Sequence, residues 1–563
     1  MKAKRLLGYG FFPSDLIPPF TSEGLFNHFE GIDRRVATYN PRGTAKSLHL
    51  SMPKNNRYRR KFSIPNPFYQ YKLSKTIELN WNDIKSILSL NHNALSTPVV
   101  SRKDTTRSLV PKENFSEIST LKIMNSVGKK YMVYADVSRY YGTIYTHSIP
   151  WAVHGKDVAK NNHSDSLYGN YIDKCVRNSQ DGQTLGIPIG PDTSFLISEL
   201  ISSRVDEMLS AELDSAISRF RYVDDYYFFC ENLSQTEQVL SKVAKVFSEF
   251  ELEMNPEKTT VMELPVKFES DWVSDLRLYR FSYNRNKQKL DIINYFSTVF
   301  TYAETYKNDN VIKYGIKRIR NKKFHKDNWI IYERLLLQAM HYEPTSIQIA
   351  LEIFLKYETE GYKLEKNQIK KTIYAIVDDN IVHNNAYEIL WVLWLAKSLG
   401  VKISKPYAQS LLGMDNPLVA IVIIDMINNN LVSPNLDFSE WREYENADSL
   451  MSEYWMYSYE AYVQGFKDTD ERYVNQNQFF KALESECIRF YDTNLQVHVN
   501  SFEEFDDELQ IKTIKSIQEV NRRLKAIEEA RIEGDTELEE NLVIELIEKS
   551  EANEKLMNWL EYY

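Results

Sequence analysis

Runs of aromatic and apolar residues mark strands in the first half of the chain, and two of these runs enclose a pair of carboxylates. Residues 219–230 read RFRYVDDYYFFC, a composition typical of β-strands on either side of Asp224 and Asp225. An Asp-Asp pair is unfavourable inside a strand and suits a tight turn. The pattern therefore predicts a β-hairpin with two carboxylates at its tip. The similar run at 131–136 predicts a further strand that ends on Asp136.

Helical periodicity replaces the strand pattern after residue 290. Before that point, residues 266–290 alternate between apolar and polar and predict a small hairpin. Helices are predicted at 328–340, 346–357, 386–400 and 416–427, and apolar stripes at 511–527 and 542–560 predict a closing helical hairpin. Their recurrence favours an α-solenoid of the HEAT kind. We therefore predict an α+β region at 1–290 and an all-α, HEAT-like region at 291–563.

Composition limits the class of protein and its compartment. Hydrophobic residues make up 43% of the 563 residues, as in globular proteins, and the net charge is −9. The three cysteines are isolated from one another, which argues for a reducing cytoplasm and against a disulfide framework or a zinc site. No run approaches the roughly 20 apolar residues of a membrane span, and the richest, 418–427, contains Asp425. We expect a cytoplasmic protein that does not enter a membrane.

Charge is unevenly distributed along the chain. The first 62 residues are rich in Lys and Arg, whereas residues 501–563 are rich in Asp and Glu. This asymmetry favours a local nucleic-acid surface in the N-terminal part, because phosphate backbones attract clustered basic side chains. The alternative interpretation is that the charge varies along a long chain without any function.

The three carboxylates suggest a metal centre. Asp224 and Asp225 alone are most simply interpreted as a solvated turn. Asp136 changes that interpretation, because phosphoryl-transfer sites with two metals about 3.5–4 Å apart need carboxylates from separate strand ends. Mg²⁺ prefers carboxylate oxygens and keeps several waters for a phosphate substrate. The sequence therefore indicates phosphoryl or nucleotidyl transfer.

The segments around these carboxylates resemble the motifs of reverse transcriptases. Residues 222–225 (YVDD) look like the signature turn of that family, and 135–149 (ADVSRYYGTIYTHSI) resembles its first palm motif. Residues 186–200 (GIPIGPDTSFLISEL) resemble the motif in which a Gly-rich turn opens a palm helix. Residues 252–260 (LEMNPEKTT) resemble the next palm motif, and 59–77 (RRKFSIPNPFYQYKLSKTI) resemble the fingers segment that precedes the palm. The five motifs keep the family's order and cover about half of the chain. Bacterial abortive-infection (Abi) enzymes, which pair such a palm with a long helical C-terminal region, are the most similar group.

The resemblance implies the fingers and palm of a right-hand polymerase in residues 1–290. Asp136 and Asp224, with the carbonyl of Val137, would hold two Mg²⁺ or Mn²⁺ ions. Asp225 would support the site or complete the coordination shell. The implied activity is that of a DNA polymerase, an RNA-directed DNA polymerase-like nucleotidyltransferase.

The resemblance also implies a site for dNTP substrates. Arg60 and Lys61 in the fingers segment would hold the triphosphate. Tyr141 stands at the family's steric-gate position, where an aromatic ring excludes a 2′-hydroxyl and selects dNTPs. Gly190 ends a Gly-rich turn that brings the backbone close to a neighbour, and Lys258 is a candidate general acid for the pyrophosphate leaving group. A core position for the aromatic ring and a solvated surface for the basic residues remain open alternatives.

One position departs from the family's pattern. Many reverse transcriptases have Gln before the second Gly of the Gly-rich turn, where this chain has Ile189. In the family that Gln contributes to contacts with the template strand and the nucleotide. Its absence questions conventional templated copying and leaves polymerisation itself in place.

Resemblance to the Abi enzymes implies antiphage defence in a bacterial cytoplasm. Those enzymes are known for untemplated DNA synthesis that is primed by a protein hydroxyl in oligomers. The implied partners are dNTPs, a DNA product covalently attached to a Tyr, and further copies of the chain. Tyr39, whose ring we expect to be exposed in the polar loop 36–46, is the candidate primer. One alternative is a templated RNA-directed DNA polymerase that uses a noncoding RNA. The other is a non-catalytic helical scaffold with a relic palm, against which the intact carboxylates argue.

Overall fold

The structure, a computed structural model, covers most of the chain. It describes residues 1–41, 43–54, 58–90, 93–101, 107–465 and 472–495, together with residues 497, 499, 502, 522, 525–527 and 529. Apart from these last few positions, the helical hairpin predicted at 511–527 and 542–560 lies outside the described residues.

The described residues form two compact units. The first contains residues within 1–52, 59–270 and 377–495, and the second contains 271–376 with the short stretch around Pro53–Tyr58 and the described positions after 496. The boundary predicted at residue 290 therefore lies inside the second unit, and residues 377–495 belong to the first.

The strands of the first unit form a central sheet and two short hairpins. They are β1 (Leu48–Pro53), β2 (Arg59–Ile64), β3 (Pro98–Val100), β4 (Leu109–Pro111), β5 (Tyr131–Asp136), β6 (Ser218–Tyr222), β7 (Asp225–Cys230) and β8 (Thr260–Glu263). The central sheet has the antiparallel order β6-β7-β5-β8, while β1 pairs with β2 and β3 with β4. The predicted hairpin at 219–230 and the strand that ends on Asp136 are confirmed.

Both faces of β7 are buried, which explains why this strand is aromatic and apolar after Asp225. Alternate residues of β7 point to opposite faces, as the two-residue period of a strand requires. Tyr226 and Phe228 lie in the main core, whereas Tyr227 and Phe229 lie in a second cluster with Ile118. A strand buried on both faces has no polar side to alternate with its apolar one.

Twelve helices are described before β8. They are α1 (Ala3–Gly8), α2 (Glu23–Asn27), α3 (Phe29–Val36), α4 (Pro67–Leu79), α5 (Trp81–Leu88), α6 (Glu117–Ser126), α7 (Tyr140–Thr143), α8 (Ser148–His154), α9 (Lys156–Asn161), α10 (Tyr168–Asn178), α11 (Asp192–Glu212) and α12 (Leu233–Glu249). The long helix α11 follows Pro191 and carries a run of buried residues from Leu196 to Leu209. It is the helix predicted after the Gly-rich turn.

Every regular element described after β8 is helical. The second unit contains α13 (Asp271–Leu278), α14 (Arg285–Thr305), α15 (Val311–Ile319), α16 (Trp329–Tyr342), α17 (Ile347–Thr359) and most of α18 (Lys366–Ile381). The first unit continues with α19 (Ala386–Ser398), α20 (Lys405–Leu412), α21 (Pro417–Asn428), α22 (Trp455–Val463) and α23 (Gln478–Ser485). A helical C-terminal region is thus present, while the HEAT-like repeat stays a prediction. The hairpin predicted at 266–290 is wrong, because Trp272 and Leu276 are buried one helical turn apart on α13.

The apolar helix α21 contains one buried carboxylate, Asp425. Its Oδ2 accepts a 2.6 Å bond from the Lys397 ammonium and a 2.7 Å bond from the Tyr491 hydroxyl. Pairing of this kind is what makes a buried charge tolerable. No helix among the described residues is long and apolar enough to cross a membrane.

The fold contains a carboxyl group whose titration couples to stability. Glu460 on α22 is fully buried, and its Oε1 accepts the Phe490 N–H at 2.6 Å. Burial raises the pKa of Glu460 from 4.5 to about 7, although this hydrogen bond and that from Gln464 oppose the rise. A folded-state pKa above the unfolded one gives stability that is complete below the unfolded pKa and is lost as the pH rises through the folded pKa.

We expect the free energy of unfolding to fall between about pH 5 and pH 8, with Glu460 contributing up to about 3 kcal/mol of the fall. Glu460→Gln removes the titrating group, so its urea midpoint should change less over this range than that of the wild type. Glu440→Gln, which changes an exposed carboxyl group, is the control. Equal pH dependence of the wild type and Glu460→Gln would contradict the assignment.

Candidate active site

The central sheet brings the three predicted carboxylates to one end. Asp136 is the last residue of β5 and Asp225 the first of β7, and they are directly opposite each other in the antiparallel register. Asp224 lies in the two-residue turn between β6 and β7. The Val137 N–H donates to the Asp224 carbonyl at 3.2 Å, which ties the residue after Asp136 to the turn.

Two of the carboxylates are bound by side chains from neighbouring elements. The Lys258 ammonium lies 2.6 Å from Oδ2 of Asp136, and the Asn255 amide donates to Oδ1 at 2.9 Å. The Tyr134 hydroxyl donates to Oδ1 of Asp225 at 2.5 Å. The positive charge of Lys258 is therefore the direct counter-ion of Asp136.

The surroundings of Asp224 disfavour its ionised form. Burial, together with repulsion from Asp225 and Asp136, raises the pKa of Asp224 to about 6. Burial also raises the pKa of Asp225, although the hydrogen bond from Tyr134 opposes that rise. Like charges held together away from water disfavour ionisation. A cation placed among these carboxylates would remove that cost.

The donor set suits a hard divalent cation. Three carboxylates at neighbouring strand ends supply the oxygen ligands that Mg²⁺ and Mn²⁺ prefer. Among the described residues, however, no group of three or more His, Cys, Asp or Glu side chains is already arranged around a common metal position. Asp136 and Asp225 instead engage Lys258 and Tyr134. The predicted ligands Asp136, Val137, Asp224 and Asp225 are thus brought together, and their metal binding stays a prediction.

Tyr141 lies beside the Gly-rich turn. Its carbonyl accepts the Ile187 N–H at 2.9 Å, and its hydroxyl accepts a 3.2 Å bond from Ser198 on α11. Burial raises the pKa of the Tyr141 hydroxyl well above its usual value. The ring is therefore held at a fixed place between the segment after Asp136 and the start of α11.

Position 190 requires glycine because its backbone lies close to the N-terminal segment of the chain. Its φ is +133°, and a Cβ at this position would lie 2.7 Å from Cγ of Pro13. Its carbonyl accepts a 2.8 Å bond from Arg107. The neighbour that the glycine admits in this structure is Pro13, and a role for Gly190 in substrate binding stays a prediction.

The basic residues of β2 have different environments. The side chains of Arg60 and Lys61 are exposed, and neither forms a hydrogen bond or ion pair with a described residue. Arg59, the preceding residue, donates from both terminal guanidinium nitrogens to the Glu388 carboxylate on α19, at 2.7 and 2.9 Å. Arg60 and Lys61 therefore remain available for a triphosphate, whereas Arg59 joins the fingers strand to the helical part of the same unit.

The predicted priming residue, Tyr39, is half-buried. Its ring packs edge-to-face against Phe68 on α4 with a centroid distance of 5.3 Å, and burial raises the pKa of its hydroxyl. The loop that carries it is thus anchored at this position, contrary to the exposed ring expected from the polar sequence.

Sequence reasoning missed a buried ion network behind the hairpin. The Arg221 guanidinium on β6 donates to both oxygens of Glu199, at 2.9 and 3.0 Å, and to Asp206 at 2.8 Å. The side chains of Arg221 and Glu199 are 1% and 0% exposed. Glu199 and Asp206 are seven residues apart on α11, so they share one helix face. Acidic residues at this spacing among apolar ones were the available indication in the sequence.

A second missed residue, Asp192, lies at the start of α11. Its Oδ2 accepts bonds from the Ser108 N–H and hydroxyl and from the Leu109 N–H, at 2.8, 2.6 and 3.0 Å, and its Oδ1 pairs with Arg107. Arg107 also donates to the carbonyl of Gly190 at 2.8 Å. This buried carboxylate therefore fixes the segment that precedes β4 to the end of the Gly-rich turn.

Comparison with known proteins gives one family and several remote structural neighbours. Residues 53–270 match the family described as "Reverse transcriptase (RNA-dependent DNA polymerase)". No curated protein matches the chain. The family match spans β2 to β8 and contains all three carboxylates.

The solved structures that resemble the chain include yeast telomerases. Apo telomerase from Candida tropicalis truncated from its C-terminal domain has a TM-score of 0.30 and 12% identity, with 44% of this chain and 56% of that chain covered. Apo telomerase from Candida tropicalis has a TM-score of 0.31, 10% identity and coverage of 76% and 75%. Telomerase from Candida albicans in complex with a TWJ fragment of telomeric RNA has a TM-score of 0.29, 10% identity and coverage of 66% and 69%. The chain spans little more than half the length of the truncated telomerase.

The residues that match the family include the whole central sheet. The strands and turn that gather the carboxylates all lie inside the matched residues. Residues 53–270 therefore form a reverse transcriptase domain.

Proposed function

We propose that the protein is a DNA polymerase that transfers deoxynucleotides from dNTPs to a hydroxyl group. The observation that carries the proposal is the convergence of three carboxylates at one end of the palm sheet, inside the reverse transcriptase domain. Divalent metal ions bound there would lower the pKa of the attacking hydroxyl and neutralise charge on the phosphates.

The side chains of the site have different roles, as metal ligands or as a proton donor. Asp136 and Asp224 would hold the ions with the Val137 carbonyl, and Asp225 would support the site. Lys258 provides a proton donor next to Asp136, where its ammonium lies 2.6 Å from the carboxylate. Each group acts from an element of the palm.

The triphosphate and the sugar of the incoming nucleotide need their own contacts. Arg60 and Lys61 supply positive charge for the triphosphate from the exposed face of β2. Tyr141 occupies the space that a 2′-hydroxyl would need. Together these residues define a dNTP as the substrate.

We further propose that synthesis is protein-primed and template-independent, in bacterial antiphage defence by abortive infection and in homo-oligomers. Support comes from the resemblance to Abi enzymes, which pair such a palm with a long helical C-terminal region, and from Ile189. The side chain of Ile189 offers no hydrogen bond to a template, and its carbonyl already accepts the Ser63 N–H of β2 at 2.9 Å. A templated enzyme that uses a noncoding RNA is the second candidate, favoured by the family's description as RNA-dependent.

Labelled dNTPs distinguish these possibilities. Full-length protein is incubated with Mg²⁺ or Mn²⁺, with and without an RNA template annealed to a DNA primer, and the products are separated on a denaturing gel before and after protease. A labelled product that forms without a template and changes its mobility on the gel after protease treatment supports protein priming. Mapping of the labelled peptide then tests Tyr39 as the primer. Label only with the template and primer supports the second candidate. Absence of label in every arm would contradict polymerisation and favour the non-catalytic scaffold.

Replacement of Tyr141 by Ala should relax selection against ribonucleotides. Loss of the ring opens space for a 2′-hydroxyl, so we expect the ratio of rNTP to dNTP incorporation, measured as relative kcat/KM, to rise by roughly 10- to 100-fold. Tyr141→Phe keeps the ring, loses only the bond with Ser198, and should retain the wild-type ratio. An unchanged ratio in Tyr141→Ala would assign the residue to the core instead.

A further inference from the structure

The residue before Asp224 has a strained backbone. Val223 has a φ of +55°, in the left-handed region that L-residues rarely adopt, and β-branched residues adopt it least readily. Strain of this kind persists only where contacts with the surrounding structure hold the residue in the strained conformation. Since Val223 is half of the two-residue turn, its conformation sets the position of Asp224.

Both backbone polar groups of Val223 are bound by side chains. Its N–H donates to the Ser96 hydroxyl at 2.8 Å, and its carbonyl accepts a bond from Arg221 at 2.8 Å. If φ became negative, the peptide groups on either side would rotate and these two bonds could not both be kept. The pair of bonds therefore selects the strained conformation.

Ser96 and Arg221 are themselves fixed by Glu199. The Ser96 hydroxyl donates to Oε1 of Glu199 at 2.8 Å, and Arg221 donates to both oxygens of the same carboxylate. Ser96 is also held by its neighbours, because the Leu95 N–H donates to the Arg221 carbonyl at 2.9 Å. The three side chains are almost completely buried, so the arrangement is shielded from water.

We propose that Ser96, Arg221 and Glu199 form a clamp that holds Val223 in its strained conformation and thereby positions Asp224 against Asp136. Ser96 and Arg221 are positioning residues that act through Val223. The inference deepens the proposed polymerase function and rests on it for its effect on rate, while the clamp itself is a property of the turn.

The clamp is tested with a matched set of serine and glycine variants. Ser96→Ala removes the acceptor of the Val223 N–H. Ser74→Ala is the control, because Ser74 is also fully buried and its hydroxyl has no hydrogen-bond partner among the described residues. Val223→Gly removes the strain, since glycine adopts positive φ readily. The double variant Ser96→Ala/Val223→Gly asks whether the clamp is needed only because residue 223 is strained.

We expect Ser96→Ala to lower kcat for dNTP incorporation by roughly 10- to 100-fold, with KM for the dNTP close to that of the wild type, because the reacting groups are misplaced. The double variant should recover most of that loss, and Ser74→Ala should retain the wild-type kcat. Wild-type kcat in Ser96→Ala would overturn the proposal. A loss that is equal in Ser74→Ala, or that glycine at position 223 does not relieve, would overturn it as well.

Crystal structures of the variants give a readout that does not need activity. In Ser96→Ala we expect residue 223 to move to negative φ and the Asp224 carboxylate to shift relative to Asp136. In the double variant, positive φ should return. An unchanged turn in Ser96→Ala would overturn the clamp even where the wild type polymerises. An inactive wild type whose turn moves as expected would instead contradict the polymerase function and leave the clamp established.

Discussion

Asp224→Asn is expected to lower the rate of nucleotide incorporation by about 1,000-fold or more. Asp224 lies at the tip of the β6–β7 hairpin next to Asp136 and Asp225, and burial and these neighbours make its negative charge costly in the absence of a cation. Asparagine keeps the shape of the side chain and removes the charge that a divalent ion would neutralise. Steady-state incorporation of labelled dNTPs with Mg²⁺ measures the effect.

The same substitution should leave the fold intact or stabilise it. Burial and two neighbouring carboxylates raise the pKa of Asp224, so the ionised group opposes folding near neutral pH. Removing the charge relieves that repulsion. Without metal, we therefore expect the thermal midpoint of Asp224→Asn to equal or exceed that of the wild type, a direction opposite to the change in activity.

Metal binding provides a third measurement on the same pair of proteins. A ligand that binds only the folded state raises the thermal midpoint, so Mn²⁺ or Mg²⁺ should stabilise the wild type more than Asp224→Asn. Asp157→Asn, at an exposed position in the first turn of α9, is the control and should behave as the wild type in all three assays. Retained synthesis in Asp224→Asn, or equal stabilisation by metal, would remove Asp224 from the site.

The hairpin and its carboxylates were predictable because the relevant information is local. A run of aromatic residues interrupted by Asp224 and Asp225 permits few structures other than two strands and a turn. The register that places Asp136 opposite Asp225 follows once β5 pairs antiparallel with β7, since β5 ends on a carboxylate and β7 begins with one. The strain at Val223 was not predictable, because its cause is a serine more than one hundred residues earlier in the chain.

Errors arose where distant segments decide the structure. Arg59 belongs to a basic cluster in the sequence, yet it pairs with Glu388, more than three hundred residues away. The division at residue 290 followed the change from strand to helix patterns, whereas residues 377–495 pack in the first unit. The segment 266–290 fits both the two-residue period of a strand and the longer period of a helix. The structure has the helix α13 there, with Trp272 and Leu276 buried four residues apart. Local patterns indicate element type, and they carry little information on which elements pack together.

Asp192 is the clearest example of a residue that only long-range packing explains, and its loss should have the largest effect on stability. The side chain is 1% exposed and accepts bonds from Ser108, Leu109 and Arg107. Asp192→Ala leaves the guanidinium of Arg107 and the buried N–H groups without their acceptor. We expect a loss of about 3–5 kcal/mol, the cost of breaking a buried ion pair by removing one partner, measured from the urea midpoint of the first unfolding transition.

A matched aspartate separates this effect from a general effect at helix starts. Asp157 and Asp192 both lie in the first turn of a helix, and only Asp192 is buried. Asp157→Ala should therefore cost less than about 1 kcal/mol, the usual contribution of an exposed charge near a helix N-terminus. Because Arg107 also holds the carbonyl of Gly190, Asp192→Ala should expose the Gly-rich turn to limited proteolysis before the rest of the unit unfolds. Equal midpoints for the two alanine variants would show that the bonds to Asp192 do not stabilise the junction between the N-terminal segment and the palm.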